Sequence, residues 1–205
     1  MQIPATRPLR ADERDAAVET LAASFDDDPL FAWMLPEART RHAWIAWFHR
    51  VSVEASLATR TAWTLTGGPE LGAITVVPPG ARAPGIEVWL KALRAPPRRA
   101  PTWRLASVGL RVQAQIDAAH PHEPVVYVHV LGVHPAQKGR GLGGALLGEA
   151  LALGSSLGVP VYLETSNPVN LGFYGRYGLR VRREIRVGDA PPLWTLQTDR
   201  APPAR

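Results

Sequence analysis

The sequence predicts a mixed α/β fold, and three observations carry that expectation. The last eighty-odd residues read strand, glycine loop, helix, strand, short helix, strand, strand. Two amphipathic helical stretches and a strand hairpin come before them. The chain has 205 residues, 46% of them apolar, which is enough for one sizeable core in a single domain.

Each element has its own local reason. In "RADERDAAVETLAASF", Ala17, Val18, Leu21 and Phe25 recur at helical spacing with acids in the first turn, so a helix is expected from about Asp12 to Phe25. "DDDP" stops it. A second helix follows in "RTRHAWIAWFHRVSVEA", with Trp44, Ile45, Phe48 and Val51 on one face. "TAWTLT" and "LGAITVVPP", separated by "GGPE", read as two antiparallel strands. Residues 80–124 are rich in Pro, Arg and Ala and look like an insertion, with helical stretches "GIEVWLKAL" and "WRLASVGLRVQAQIDAAH". Beyond them "VVYVHVLGV" (125–133) and "VPVYLETS" are strands, "LGGALLGEALALGSSLG" and "VNLGFYGRYG" helices, and "LRVRREIRV" and "LWTLQT" closing strands. Strict alternation in the first of these places Tyr127, His129 and Leu131 on one face and Val128 and Val130 on the other. The terminal "APPAR" reads as a frayed tail.

Composition removes several functions. The chain has no cysteine, which excludes disulfides, cysteine nucleophiles and thiolate metal sites, and favours a reducing compartment. The N-terminus lacks an apolar signal region, and nowhere are there about 18 consecutive apolar residues, so a cytoplasmic protein without a membrane partner is expected. The net charge of +5 raises the question of nucleic acid, but the arginines are spread from Arg7 to Arg205, so no nucleic-acid partner is expected. No His, Asp or Glu spacing suggests a metal, and His120, His122 and His134 read as loop residues.

The densest chemical signal is "QKGRGLGGALL" (137–147). Gly139, Gly141, Gly143 and Gly144 permit positive φ and leave no Cβ to hold a ligand away, and a helix begins at once. Converging backbone N–H groups at a helix N-terminus form a cradle for an anion, and a diphosphate suits it. In the helix, Leu142, Leu146, Ala150, Leu153 and Leu157 form the apolar stripe. A nucleoside-triphosphate loop is excluded, because no lysine followed by Ser or Thr closes the segment. A dinucleotide fingerprint fits Gly139, Gly141 and Gly144, with Glu164 twenty residues on, but "HPAQK" intervenes between strand and first glycine and too little chain remains for the other parallel strands.

"LGVHPAQKGRGLGGALL" resembles the coenzyme loop of the GNAT superfamily of acyl-CoA-dependent N-acyltransferases, [QR]-x-x-G-x-[GA], with Lys138, Gly141 and Gly143 at the pattern positions. Lysine at the first position departs from the pattern. "LETSNPVNLGFYGRYGLRV" and "ETLAASFDDDP" look like the corresponding stretches of the puromycin N-acetyltransferase group within it. The resemblance implies a mostly antiparallel sheet with helices on both faces, whose fourth and fifth strands are parallel and splay to admit acetyl-CoA. It further implies one domain over 1–205, with an acceptor side to about residue 124 and an acetyl-CoA side over about 125–200.

The implied reaction is acetyl transfer to a small primary amine in a ternary complex, with acetyl-CoA as cosubstrate and no metal. A silent acyl-CoA-binding module of the same fold is the alternative. The resemblance maps Tyr174 as the acid beside the thioester sulfur and His129 as the proton acceptor, with Glu164 a second candidate base. Asn170, the main chain of Leu131, Gly132 and Val133, and the loop Lys138, Gly139, Arg140, Gly141, Leu142, Gly143 and Gly144 would hold the coenzyme. Phe25, Asp28, Trp33 and Tyr127 would face the acceptor, together with Glu164. Asn170 and Tyr174 share one helix face, Phe173 and Tyr177 another. The expected assembly is a monomer or homodimer.

Overall fold

A computed structural model describes residues 4–81, 83 and 103–199. The helix expected at 85–93 and the tail at 201–205 lie outside those residues. Strands are β1 (Thr6–Pro8), β2 (Ala62–Leu65), β3 (Gly68–Val77), β4 (Val126–Val133), β5 (Val161–Thr165), β6 (Arg180–Ile185) and β7 (Leu193–Gln197). Helices are α1 (Arg14–Phe25), α2 (Pro29–Met34), α3 (Ala38–Thr59), α4 (Trp103–Ala119), α5 (Leu142–Leu157) and α6 (Val169–Gly175). The expected elements form, with boundaries shifted by a few residues. The three-residue β1 and the short α2 carry no periodicity long enough to read.

The seven strands make one sheet in the order β1-β2-β3-β4-β5-β7-β6. Every neighbouring pair is antiparallel except β4 and β5. The parallel pair holds register only at Val126 with Val161 and Tyr127 with Tyr162. Beyond Tyr127 the two strands part, and the second half of β4 keeps its partner β3 on one edge while the other edge opens. A parallel pair needs a crossover, and α5 supplies it.

Helices cover both faces. On one, α5 buries Leu142, Leu146, Leu147 and Ala150 against Ile74, Val76, Val126 and Val128. Its buried stripe ends at Gly154 rather than at Leu157, which is 49% exposed. On the other, α1 and α3 pack Ala17, Val18, Leu21 and Val53 against Ala73 and Val130. Within α3 the buried residues are Trp44, Ile45, His49, Ser52, Val53 and Ser56, so Trp44 and Ile45 are buried as expected while His49 and Ser52 take the places expected of their neighbours Phe48 and Val51.

Strict alternation fails in β4. Thr75 pairs with Val130 and Val76 with Val128, so His129 is the extra residue of a β-bulge. Val128 and Leu131 consequently share the α5 face, while Val130 turns to α1 and α3. Leu131 is therefore not on the face of Tyr127, as alternation requires. The irregularity is at His129 and not at Gly132, whose role is different. A Cβ there would collide with Ser24 Oγ and lie 2.8 Å from Leu21 Cδ2, so glycine is what allows α1 to lie against the strand.

Candidate active site

Where β4 and β5 part, a groove of about 630 Å³ opens between the two strands' ends, the glycine loop and α6. Gly139 and Gly141 take left-handed φ of 79° and 77°, and Gly141 caps α5. The amides of Gly144 and Ala145 bond to Gly141 O at 3.1 and 3.2 Å. Among the described residues no backbone carbonyl outside regular elements accepts from Gly141, Leu142 or Gly143. Those free donors point where an anion gains from the helix dipole.

The four glycines are not equivalent. Gly143 and Gly144 are helical, and a Cβ on Gly144 would collide with the Tyr177 hydroxyl, so this glycine lets an aromatic ring pack rather than letting a phosphate approach. Lys138 lines the groove. Arg140 is not among the described lining residues, and its guanidinium donates to Gln137 Oε1.

Leu131, Gly132 and Val133 line the groove along the edge of β4 that β5 leaves unpaired. On another wall Asn170, Phe173 and Tyr174 of α6 and Tyr177, two residues past its end, all line it, although the spacing separates them into two faces. Asn167 Oδ1 accepts from Val169 N at 3.0 Å and opens the helix, and Asn170 Nδ2 donates to Thr165 Oγ1 at 3.2 Å. Phe173 lies 5.0 Å from Tyr174 and 5.3 Å from Tyr177 between ring centroids. Arg176, over the Phe173 ring at 5.8 Å, also lines the groove; nothing in its sequence neighbourhood singles it out.

A second cavity, of about 210 Å³, lies beneath α2, α3 and α4. Phe25, Asp28, Leu131, Asn170 and Tyr174 line both spaces and form the passage between them. Burial and then the neighbouring Asp28 carboxylate push the Tyr174 phenol well above its ordinary pKa, so it holds its proton. Asp28 caps α2 through Leu30 N and Phe31 N at 3.0 and 3.3 Å and accepts from Ser166 Oγ at 2.7 Å. Its pKa is raised by burial against the pull of those donors.

His129, Tyr127 and Glu164 line the floor of this second cavity. His129 Nδ1 is buried without a partner, and burial lowers its pKa to about 4. Glu164 Oε1 is likewise buried and unpartnered. Burial pushes this carboxyl up to about 7, opposed by the Tyr127 and Tyr162 hydroxyls. Trp33, in α2, is not among the described residues lining either space.

Of this wall, sequence reasoning missed Phe48, His49 and His120. Phe31, Phe48 and His49 join Phe25 in an aromatic cluster with ring centroids 4.8 to 6.0 Å apart. His120 is a loop residue, just past α4, and it packs edge-on against Tyr127 and Tyr162 at 5.3 and 5.0 Å. No local pattern could have grouped these side chains, since four separate segments supply them. Among the described residues no group of His, Asp or Glu could hold a metal ion, and no helix is long and apolar enough to cross a membrane.

Residues 104–179 match the acetyltransferase (GNAT) family. The fold is similar over the whole of both chains to a histone acetyltransferase HPA2-related acetyltransferase from Corynebacterium glutamicum, at 18% identity and a TM-score of 0.71. It is similar to a polyamine N-acetyltransferase of Drosophila melanogaster that forms N-acetylagmatine, over 94% of this chain and 97% of that one, at 17% identity and a TM-score of 0.63. A chain of the NatC complex bound to Gag peptide and CoA aligns over 96% of this chain and 98% of its own, at 13% identity and a TM-score of 0.55. The splayed mixed sheet is thus the GNAT fold, and residues 104–179 match the family of N-acetyltransferases that shares it.

Proposed function

We propose that the protein transfers an acetyl group from acetyl-CoA directly to a small primary amine. The observation that carries this reading is the position of Tyr174, a buried phenol on the wall shared by the groove and the cavity. The groove fits the coenzyme by its chemistry: unpaired loop amides for the diphosphate, Lys138 beside them, and an open strand edge for the pantetheine amides. Acetyl-CoA supplies the reactive thioester when bound.

The chain's own groups then divide the proton traffic. Tyr174 keeps its proton at neutral pH and donates it to the departing thiolate. His129, kept neutral by burial and with Nδ1 free, accepts the proton the amine loses as it bonds to the acyl carbon, directly or through water. Asp28, on the same shared wall, favours an acceptor that arrives as a cation. The polyamine enzyme among the structural neighbours is in keeping with an amine acceptor. The closer likeness to the puromycin group rests on the sequence stretches alone.

Tyr174→Phe tests the assignment. Turnover should fall about 100-fold, the scale of a lost general acid, while acetyl-CoA affinity stays within about threefold. Turnover at the wild-type rate would remove Tyr174 from the chemistry, and coenzyme binding without turnover on any amine would favour the silent module.

A further inference from the structure

The acceptor cavity has a polar end that the transfer step does not use. Glu164 lines its floor with Oε1 buried and unpartnered, and its carboxyl lies beside the Tyr127 and Tyr162 hydroxyls. Unlike Asp28, Glu164 is not among the residues lining the coenzyme groove. The cavity thus has one carboxylate at its junction with the groove and another away from it. At the mouth stands a third, Asp117, exposed and bonded by Gln113 Nε2 at 2.8 Å. Among the described lining residues there is no Lys or Arg, and burial holds both His49 and His129 neutral.

A wall of this charge attracts cations and repels carboxylates at both ends. Between the two ends it is aromatic, with Phe25, Phe31 and Phe48 presenting rings that a cationic chain can lie against. An unpaired buried carboxyl oxygen is costly, and a bound donor removes that cost. We infer that the acceptor is a dication, a primary amine joined by a short aliphatic chain to a second cationic nitrogen, and that Glu164 with Tyr127 and Tyr162 is the anchor for that second nitrogen.

The two carboxylates are held by one short stretch of chain: Glu164 is in β5, and Ser166, just past its end, donates to Asp28. A short aliphatic linker therefore suits a nitrogen at each. An amino acid fails because its carboxylate would meet Glu164 or Asp28. A monoamine fits but leaves Glu164 Oε1 without a donor. The inference rests on the N-acetyltransferase reading for which end reacts, but not for the binding preference.

Binding and turnover are therefore read separately on the full chain with 1,4-diaminobutane, 1-aminobutane and 4-aminobutanoate. In the presence of CoA, the diamine should bind at least tenfold more tightly than either of the others, by calorimetry and by thermal shift. Glu164→Gln should reduce the diamine's advantage over the monoamine, in affinity and in kcat/KM, to within about twofold. Equal binding of diamine and monoamine to the wild type overturns the inference and leaves N-acetylation standing. An equal loss of kcat on both amines in Glu164→Gln, with the binding preference intact, also overturns it and makes Glu164 the proton acceptor. A binding preference for the diamine without acetylation of any amine would uphold the anchor and sink the proposed reaction.

Discussion

The groove and the cavity meet at Tyr174 but are built on opposite plans. The groove is mostly main chain: amides of residues 141–143, the bare edge of β4, and glycines at φ angles that side chains disfavour. The cavity is mostly side chains, delivered by α1, α2, α3, α4, β4 and β5 from positions more than 130 residues apart. Main-chain recognition suits an invariant ligand such as a diphosphate. On the proposed function, side-chain recognition leaves the acceptor open to change one residue at a time without touching the coenzyme's grip.

The sharpest way to break this division is Gly141→Val. A β-branched residue at φ 77° strains the loop and swings the free amides out of line. Coenzyme affinity should fall by more than tenfold, while diamine affinity measured without coenzyme stays within about twofold. Retained coenzyme binding would show that the loop amides do not hold it.

The opposite cut is Phe31→Ala, which removes edge-on contacts with Phe25, Phe48 and His49. Such pairs are worth about 0.5–1.5 kcal/mol each, so the amine KM should rise about fivefold with the acetyl-CoA KM unchanged. A parallel rise in both constants would mean that the two spaces are not independent.

The same contrast explains what was legible. A run of 11 residues contains the glycine loop and the start of α5, so the side proposed to hold the coenzyme is legible in one contiguous word. Even there the glycines look more alike than they are: Gly139 and Gly141 serve the loop, whereas Gly144 serves the Tyr177 ring, a distinction that depends on a neighbour 33 residues away. The family resemblance groups Phe25, Asp28, Trp33, Tyr127 and Glu164, and one cavity is lined by all of them except Trp33. His49 and His120 are not legible in the same way, because helix spacing gives a buried face without saying what it touches. The bulge at His129 was hidden for a related reason: it is a property of the pairing with β3, and β4 alone alternates well enough to conceal it.

The smallest expected effect concerns how the cavity trades stability for polarity. Both ring nitrogens of His49 are buried without partners, and burial lowers its pKa to about 3. A lowered histidine pKa favours the neutral form. Its contribution to stability is whole above the unfolded value of 6.5 and disappears as pH falls toward 3 for His49 and 4 for His129. Glu164, with its pKa raised to about 7, works the other way: its contribution is whole below 4.5 and is lost as pH rises through 7. His49→Leu should add about 1 kcal/mol at pH 7 by relieving the unpartnered nitrogens, and should flatten the fall in stability between pH 6 and 4 in urea titrations. An unchanged acid slope would place the acid-sensitive group elsewhere.

The fourth strand is read in two frames, and the slip between them is one residue long. Before it, odd-numbered positions look toward the α1 and α3 side; after it, even-numbered ones do. Removing the codon for His129 would leave one uninterrupted frame, with Leu131 still against α5 and Gly132 still against α1. The inserted position thus adds one side chain to the cavity floor without turning any other, a place gained by counting rather than by chemistry.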